Sequence, residues 1–168
     1  MKKTAGTICA LAVLSLMVPA GAASAPRLGI AATAVPAVGH PYDEHLAAAK
    51  AVDAAFVRAG KGGKRVMIVM GGNWCPDCRI LAGVMALPAM KGFLAAHFEI
   101  VAVDIGRFDK NLDVPARFGI TGRLAGVPAI LVAAPDGTLI NRSAVTAFAD
   151  ARSMAPQAIA DRLAGWAK

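Results

Sequence analysis

The chain has 168 residues, of which 57% are apolar, with 18 Lys and Arg against 11 Asp and Glu. This length fits one domain, and the low charged content of 17% with so many apolar residues excludes a disordered chain. Three cysteines are too few for a small fold held together by disulfides. The basic residues are scattered and form no run typical of a nucleic-acid-binding arm, so we expect no nucleic-acid partner.

The N-terminus has the pattern of an export signal. Lys2 and Lys3 precede an apolar stretch over residues 8–18, and Ala23-Ser24-Ala25 has the small-x-small pattern of a cleavage site. We predict a signal peptide over residues 1–25, export in a bacterium and a periplasmic location, and we expect no stable membrane span in the mature chain. The alternative is a membrane anchor formed by an uncleaved N-terminus, although the apolar stretch is short for a span of about 20 residues.

Beyond this signal, the hydrophobic pattern alternates between helical and extended segments. Residues 26–40 are rich in Ala, Pro and Gly and predict a linker, with a short edge strand near residues 28–32. The remaining pattern first predicts a helix over 43–59 stopped by Gly60, Gly62 and Gly63, a buried strand over 66–70, and a helix from about 75 that breaks near Pro88 and continues over 91–97. It then predicts a strand over 98–103 and a connection over 104–126 with a helical turn at 114–118. The last part is predicted to form a strand over 129–133, a turn at 135–137, an antiparallel strand over 138–140 and a helix over 156–166. This order predicts an α/β fold with a central mixed β-sheet flanked by helices on both faces.

Two cysteines stand at the predicted start of a helix, in the segment Trp74-Cys75-Pro76-Asp77-Cys78. At this spacing they are close enough to form a small disulfide ring. Cys75 is expected to be the exposed and reactive residue, because free backbone N–H groups and the positive end of the helix favour its thiolate. Cys78 is expected to lie one turn deeper and to resolve mixed disulfides. Pro76 suits the first helical position, where no N–H is needed.

This motif and its surroundings resemble the thioredoxin superfamily. Trp74-Cys75-x-x-Cys78 after a buried strand matches the motif of that family. Arg117-Phe118-Gly119-Ile120 is similar to its basic-aromatic-Gly-Ile stretch, and Gly126-Val127-Pro128-Ala129 is similar to its Gly-Ile/Val-Pro-Thr loop. The resemblance implies a thioredoxin-like fold, with a thioredoxin-like domain over residues 41–168.

The resemblance also implies a function. The expected activity is that of an exported thiol–disulfide oxidoreductase, which reduces or exchanges protein disulfides through the dithiol of Cys75 and Cys78 without a cofactor. Protein thiols or disulfides and an unidentified redox partner are the expected partners. In the family, the proline of the second motif is cis and lies beside the cysteines. The implied substrate-binding residues are Trp74, Pro76, Val127 and Pro128.

Departures from the family pattern bear on the proton chemistry of the site. Val69 occupies the position of a buried acid in the strand, so a proton relay for Cys78 must come from water or from another group. Gly71-Gly72 replaces an aromatic-Ala pair, and the connection before Gly126 is longer than in a compact thioredoxin.

Local charge bears on the redox potential. Asp77 disfavours a thiolate at the neighbouring Cys75, and the long side chain of Arg79 offsets this only in part. This arrangement predicts a potential toward the reducing side of the range covered by such proteins.

Two other kinds of function use the same residues. The main alternative is a thioredoxin-fold binding module or a metal-chaperone-like protein whose cysteines are not routinely cycled. No metal site is predicted, because His40, His45 and His97 stand at no convincing spacing from the cysteines. The connection over 105–126 has no assigned role, and its basic residues predict a solvated face with a partner surface as the alternative: Arg107, Lys110, Arg117 and Arg123.

Overall fold

The computed structural model describes residues 23–167, so the basic and apolar parts of the predicted signal peptide lie outside the described residues. Cleavage after Ala25 therefore stays a prediction. Within the described part, the chain forms one mixed sheet with helices on both faces, and the predicted fold class is confirmed.

Three strands form the sheet, namely β1 (Arg65–Gly71), β2 (Phe98–Asp104) and β3 (Ala129–Ala133). The central strand, β1, is parallel to β2 and antiparallel to β3. Near its carboxyl end, Met70 pairs with Val103 on one side and with Ala129 on the other. The segment that follows β1 therefore emerges between the end of β2 and the beginning of β3.

In residues 23–167, five α-helices surround this sheet. They are α1 (Ala48–Gly62), α2 (Pro76–Ala86), α3 (Pro88–His97), α4 (Asp113–Ala116) and α5 (Pro156–Ala164). Side chains of α1 and α4 belong to the core on one face of the sheet. Side chains of α2, α3 and α5 belong to the core on the other face, except that Cys78 of α2 belongs to the α1 side.

The central strand shows why its sequence is apolar without alternation. Val66, Ile68 and Met70 point into the α1 side of the core, whereas Met67 and Val69 point into the other side. All five are buried, because each face of β1 is covered by helices.

Proline and glycine set the ends of several helices, although not always where the sequence predicts. Pro76 and Pro88 each occupy the first turn of a helix, and Leu87, with φ of -57° and ψ of 139°, is non-helical, as expected for a residue before proline. The first helix runs through Gly60, contrary to prediction, and ends at Gly62, with Gly63 as its cap at a φ of 64°. Among residues 23–167, no single helix has the length and apolar composition of a membrane span; α2 and α3 reach it only together, and they are bent by 86°.

The segment before α1 differs from the prediction. Residues 28–32 form no strand, and a short 3-10 helix follows at Ala32–Ala34. The predicted start of α1 at residue 43 is also wrong, because Asp43 closes a turn in which its carboxylate accepts a hydrogen bond from the His45 N–H at 2.9 Å. Val35 is buried against the α2 side of the core, so the segment proposed as a linker packs on the domain.

The predicted fourth strand over 138–140 is reduced to one bridge between Ala133 and Leu139. Asn141 takes over the role of a strand partner, since its Oδ1 accepts from the Val132 N–H and its Nδ2 donates to the Ile130 carbonyl, both at 2.9 Å. This buried side-chain amide satisfies backbone groups that a fourth strand would otherwise pair.

Candidate active site

The cysteine motif lies where β1 ends and α2 begins. Cys75 is the residue that caps α2, and its Sγ accepts a hydrogen bond from the Cys78 N–H at 3.2 Å. Pro76 is in the first helical turn, as predicted. Both cysteines are free thiols. The capping bond directs a backbone donor of the helix N-terminus at the Cys75 sulfur, an arrangement that favours negative charge there.

Cys75 is more buried than the sequence predicts. Cys75 is 3% exposed and Cys78 is 1% exposed, and both belong to the α1 side of the core. The expectation that Cys75 is the exposed residue is therefore wrong. The Cys75 sulfur lies between the Cys78 N–H and the Val127 carbonyl and packs in the core, which keeps it out of solvent.

The second predicted motif lies against the first. The Val127-Pro128 peptide bond is cis, as the resemblance implies. The Sγ of Cys75 donates to the Val127 carbonyl at 3.7 Å. Trp74 and Pro76 are exposed beside the thiols, whereas Val127 and Pro128 are buried. The structure thus brings the predicted site residues together at one end of the sheet.

Tyr42 is a site residue that the sequence did not reveal. It is 4% exposed and belongs to the same part of the core as both cysteines. Its hydroxyl group is hydrogen-bonded to Cys78, and a Cβ built on Gly71 would lie 2.6 Å from the Cys78 Sγ and would overlap the hydroxyl group of Tyr42. Gly71 is therefore required at this position, because its missing side chain leaves the space in which the phenol and the thiol meet.

Asn73, in the turn before the motif, fixes the position of Tyr42. Its Oδ1 accepts from the Tyr42 N–H and its Nδ2 donates to the Tyr42 carbonyl, both at 3.0 Å. The same Nδ2 also donates to the Glu44 carboxylate at 2.9 Å. These bonds tie the segment before α1 to the turn that holds the cysteines.

The environment of Cys78 favours its neutral form. Burial, and then the hydrogen bond with the Cys75 side chain, raise the pKa of the Cys78 thiol to about 12. Hydrogen bonds with the Gly72 backbone and with the Tyr42 hydroxyl group act in the opposite direction. Burial, followed by the nearby Cys78, also raises the pKa of the Tyr42 phenol, so this group stays protonated at physiological pH.

Trp74 lies on the other side of the motif, against the connection that follows β2. Its Nε1 donates to the Gly106 carbonyl at 2.7 Å, and its ring is 6.0 Å from that of Phe108. The guanidinium group of Arg107 lies 4.7 Å from the Trp74 ring centroid, and that of Arg123 lies 4.0 Å from the Phe108 centroid. We call Trp74, Arg107, Phe108 and Arg123 the Trp74 stack. The connection thus supports the exposed rim of the site.

Asp77 and Arg79 have partners that the sequence does not indicate, and the predicted redox potential stays a prediction. The Asp77 carboxylate is 8% exposed and accepts from the Arg152 N–H at 2.9 Å and from the Arg152 Nε at 3.1 Å. The Nε of Arg79 instead donates to the Val38 carbonyl at 3.1 Å. The cation that offsets Asp77 is therefore Arg152, which the sequence could not indicate because it lies 75 residues away.

A cavity of about 240 Å³ borders Cys78. Tyr42, Val69 and Ile100 are among the residues that line it. Its lining is mainly apolar, so Val69, at the position of the expected acid, leaves an apolar space and not a carboxylate beside the inner thiol. Among residues 23–167, no three His, Cys, Asp or Glu side chains cluster in a way that could hold a metal ion.

The chain belongs to the thioredoxin-like family, whose sequence profile matches residues 47–135. It is 36% identical to a disulphide isomerase from Xylella fastidiosa Temecula1, whose crystal structure superposes with a TM-score of 0.68 over 74% of this chain and 94% of that one.

Two further relatives are similar over shorter regions. A thioredoxin of Alicyclobacillus acidocaldarius is 34% identical over 68 residues, which are 40% of this chain and 60% of that protein. The thiol:disulfide interchange protein DsbD 1 of Pseudomonas aeruginosa is 32% identical over 97 residues, which are 56% of this chain but only 15% of the relative. The chain therefore spans less than two thirds of either protein.

Proposed function

We propose that this protein is a thiol–disulfide oxidoreductase that uses Cys75 and Cys78 on protein substrates. The observation that carries the proposal is the capping bond from the Cys78 N–H to the Cys75 Sγ, which places a nucleophilic sulfur at a helix N-terminus with a second thiol one turn away. The similarity to a thioredoxin and to a disulphide isomerase supports the same chemistry.

In the reducing direction, the reaction has two exchange steps. The Cys75 thiolate attacks one sulfur of a client disulfide, so a Cys75–client disulfide forms and the other client sulfur leaves as a thiolate and takes up a proton. The Cys78 thiolate then attacks the Cys75 sulfur, the intramolecular disulfide forms, and the second client sulfur leaves in the same way. Two electrons pass from the protein to the client, and the reverse sequence oxidises a client dithiol.

The two cysteines differ in the way these roles require. A backbone donor already points at the Cys75 sulfur, whereas burial raises the pKa of Cys78 and keeps it neutral until a mixed disulfide has formed. Trp74 and Pro76 flank the thiols on the exposed side and provide the surface that a client meets first. Val127, whose carbonyl accepts from the Cys75 Sγ, and Pro128 complete the proposed substrate site.

A disulfide reduction assay tests the proposal. Protein purified from cells that express the full chain should reduce insulin with dithiothreitol as electron source, and Cys75→Ser should remove this activity. Cys78→Ser should accumulate mixed disulfides with clients, which Cys75→Ser cannot form. Wild-type protein that reduces no disulfide, and forms no mixed disulfide as Cys78→Ser, would instead indicate a binding module whose cysteines are not cycled.

The sequence also leads us to propose export to a periplasm by a cleavable signal peptide. Cell fractionation with mass measurement of the purified protein tests this step. A soluble periplasmic product that begins near residue 26 is the expected result. A membrane-bound product of full mass would support the uncleaved anchor.

A further inference from the structure

We propose that Tyr42 is a catalytic hydrogen-bond donor for the second exchange step, in which its hydroxyl group stabilises the Cys78 thiolate that resolves the mixed disulfide. This inference rests on the proposed function, because it assigns a role within the same reaction. Its starting point is the contact between the Tyr42 hydroxyl group and the Cys78 thiol above the bare backbone of Gly71.

The phenol is held in place from two directions. Its ring is buried among core residues, which removes the cost of immobilising it during the reaction. Its backbone is bound on both polar atoms by Asn73, which belongs to the turn that leads into the cysteines. Tyr42 therefore keeps a fixed relation to the motif although 36 residues separate it in sequence from Cys78.

A donor is needed at this place because Cys78 must become an anion in a buried site. Burial penalises the thiolate, and only a few polar groups face it. The titratable groups around Cys78 and Tyr42 are Cys75 at the start of α2 and Asp104 at the end of β2, and Asp104 is paired with Lys110 at 3.6 Å. Neither the Cys75 thiol nor the Asp104 carboxylate favours a negative charge on Cys78. The Tyr42 hydroxyl group is therefore the side-chain donor to the Cys78 thiolate.

The role is limited to donation. The Tyr42 phenol is itself buried and keeps its proton, so it does not remove the proton of the Cys78 thiol, which passes to solvent or buffer. The thiolate then attacks the Cys75 sulfur, the Cys75–Cys78 bond forms, and the client sulfur leaves as a thiolate that takes up a proton. Throughout this step the hydroxyl group stays neutral and exchanges no electrons.

Tyr42→Phe tests the proposal, because it removes the hydroxyl group and keeps the ring. Reduced full-chain product mixed with Ellman's reagent should release one chromophoric thiolate as Cys75 attacks and a second as Cys78 resolves the mixed disulfide. A rise of about one unit in the Cys78 pKa would lower the thiolate fraction about tenfold, and the greater nucleophilicity of the more basic thiolate would recover about threefold. The second phase should therefore be about threefold slower from mildly acidic to mildly alkaline pH, with the first phase unchanged.

A second phase of wild-type rate would overturn the proposal, and so would equal slowing of both phases, which indicates general damage to the site. Asn73→Ala serves as a companion variant, because it loosens Tyr42 without removing the hydroxyl group and should slow the second phase by less than Tyr42→Phe. The phases are measured with a small reagent, so they remain interpretable if no protein disulfide is reduced. In that case only the proposed function fails.

A second measurement needs no change at Tyr42. The chain has one tyrosine, so a 13C label on the tyrosine Cζ gives a single resonance. This resonance should shift in Cys78→Ala and on oxidation of the wild type, and should stay close to the reduced position in Cys75→Ala. A resonance that Cys78→Ala leaves unmoved would overturn the proposed contact even if Tyr42→Phe failed to fold.

Discussion

The two cysteines face different surroundings, although they are three residues apart. On the Cys75 side, the exposed Trp74 is supported by a polar connection through one hydrogen bond and a stack of rings and guanidinium groups. On the Cys78 side, a buried phenol, a glycine and an apolar cavity surround the sulfur. The comparison teaches that substitutions around the exposed Trp74 can alter the surface that a client meets at little cost in stability. Substitutions around Cys78 instead disturb the core of the domain.

Adjacent glycines allow this comparison to be tested with one methyl group on each side. Gly71→Ala would place Cβ against the Tyr42 hydroxyl group and 2.6 Å from the Cys78 sulfur, and both neighbours are buried. We expect a loss of about 1–3 kcal/mol in the free energy of unfolding, measured by urea denaturation of the reduced protein. Gly72→Ala meets the indole of Trp74, which is 38% exposed and can move, so its loss should be smaller. Equal losses would contradict the assignment of the two sides.

Alkaline pH should lower the stability of the reduced protein through the buried Cys78. The ordinary pKa of the thiol is 9.0 and that of Cys78 in the folded chain is about 12, so between these values the unfolded chain has lost a proton that the folded chain retains. Stability of the reduced protein therefore falls as pH rises above about 9. Urea midpoints against pH should fall less steeply in Cys78→Ala, with the remaining slope due to Tyr42, whose folded-state pKa is also raised. Identical slopes for the two proteins would show that Cys78 is not the titrating group.

Substitutions at Asp77 should have an effect on stability between those at Gly71 and at Trp74. Asp77 is part of α2, but its carboxylate binds the backbone and side chain of Arg152. Asp77→Ala leaves the Arg152 N–H without its acceptor and should cost about 1–2 kcal/mol. Asp77→Asn keeps an acceptor oxygen and should cost less than Asp77→Ala, since the Arg152 side chain is 59% exposed and its ion pair is screened. Thermal or urea unfolding of both variants distinguishes the loss of the hydrogen bond from the loss of charge. Equal losses in Asp77→Asn and Asp77→Ala would mean that the charge dominates, because both variants remove it.

Trp74→Phe should have the smallest effect on stability. It removes the hydrogen bond to the Gly106 carbonyl and weakens the contact with Arg107, both at an exposed site, and should cost less than about 1 kcal/mol. If Trp74 serves the client side, this variant should slow the first phase of the reaction with Ellman's reagent and leave the second unchanged. Slowing confined to the second phase would contradict the division between the two sides.

Much of the fold could be predicted from local signals. The apolar run of β1, the paired cysteines and the prolines at Pro76 and Pro156 each act within a few residues, and the structure bears out the elements they predict. The wrong boundary at residue 43 and the missing fourth strand have another origin. In both places a polar side chain, Asp43 or Asn141, binds nearby backbone and replaces the regular hydrogen bonds that the pattern predicts.

In the candidate site, too, the residues that the sequence predicted are local and the residues that it missed are distant in sequence. The motif residues are adjacent in sequence and were found there, whereas Tyr42 and Arg152 reach the motif from distant segments that only folding brings close. The departure at Gly71-Gly72 was the available signal. Two glycines in place of larger residues leave space beside the motif, but the sequence does not say that a phenol and an indole occupy it.

Asn141 also determines how the sheet can interact with other chains. An unpaired strand edge usually accepts a further strand, from a client or from a second molecule. Along the outer edge of β3, the amide of Asn141 binds Val132 and Ile130, while the Ile130 N–H donates to Val145 at 2.8 Å and the Ile140 N–H donates to Val132 at 2.7 Å. These backbone donors and acceptors are already hydrogen-bonded, so an extended chain cannot pair with them. The β3 edge of the sheet therefore cannot accept a further strand at Ile130 and Val132.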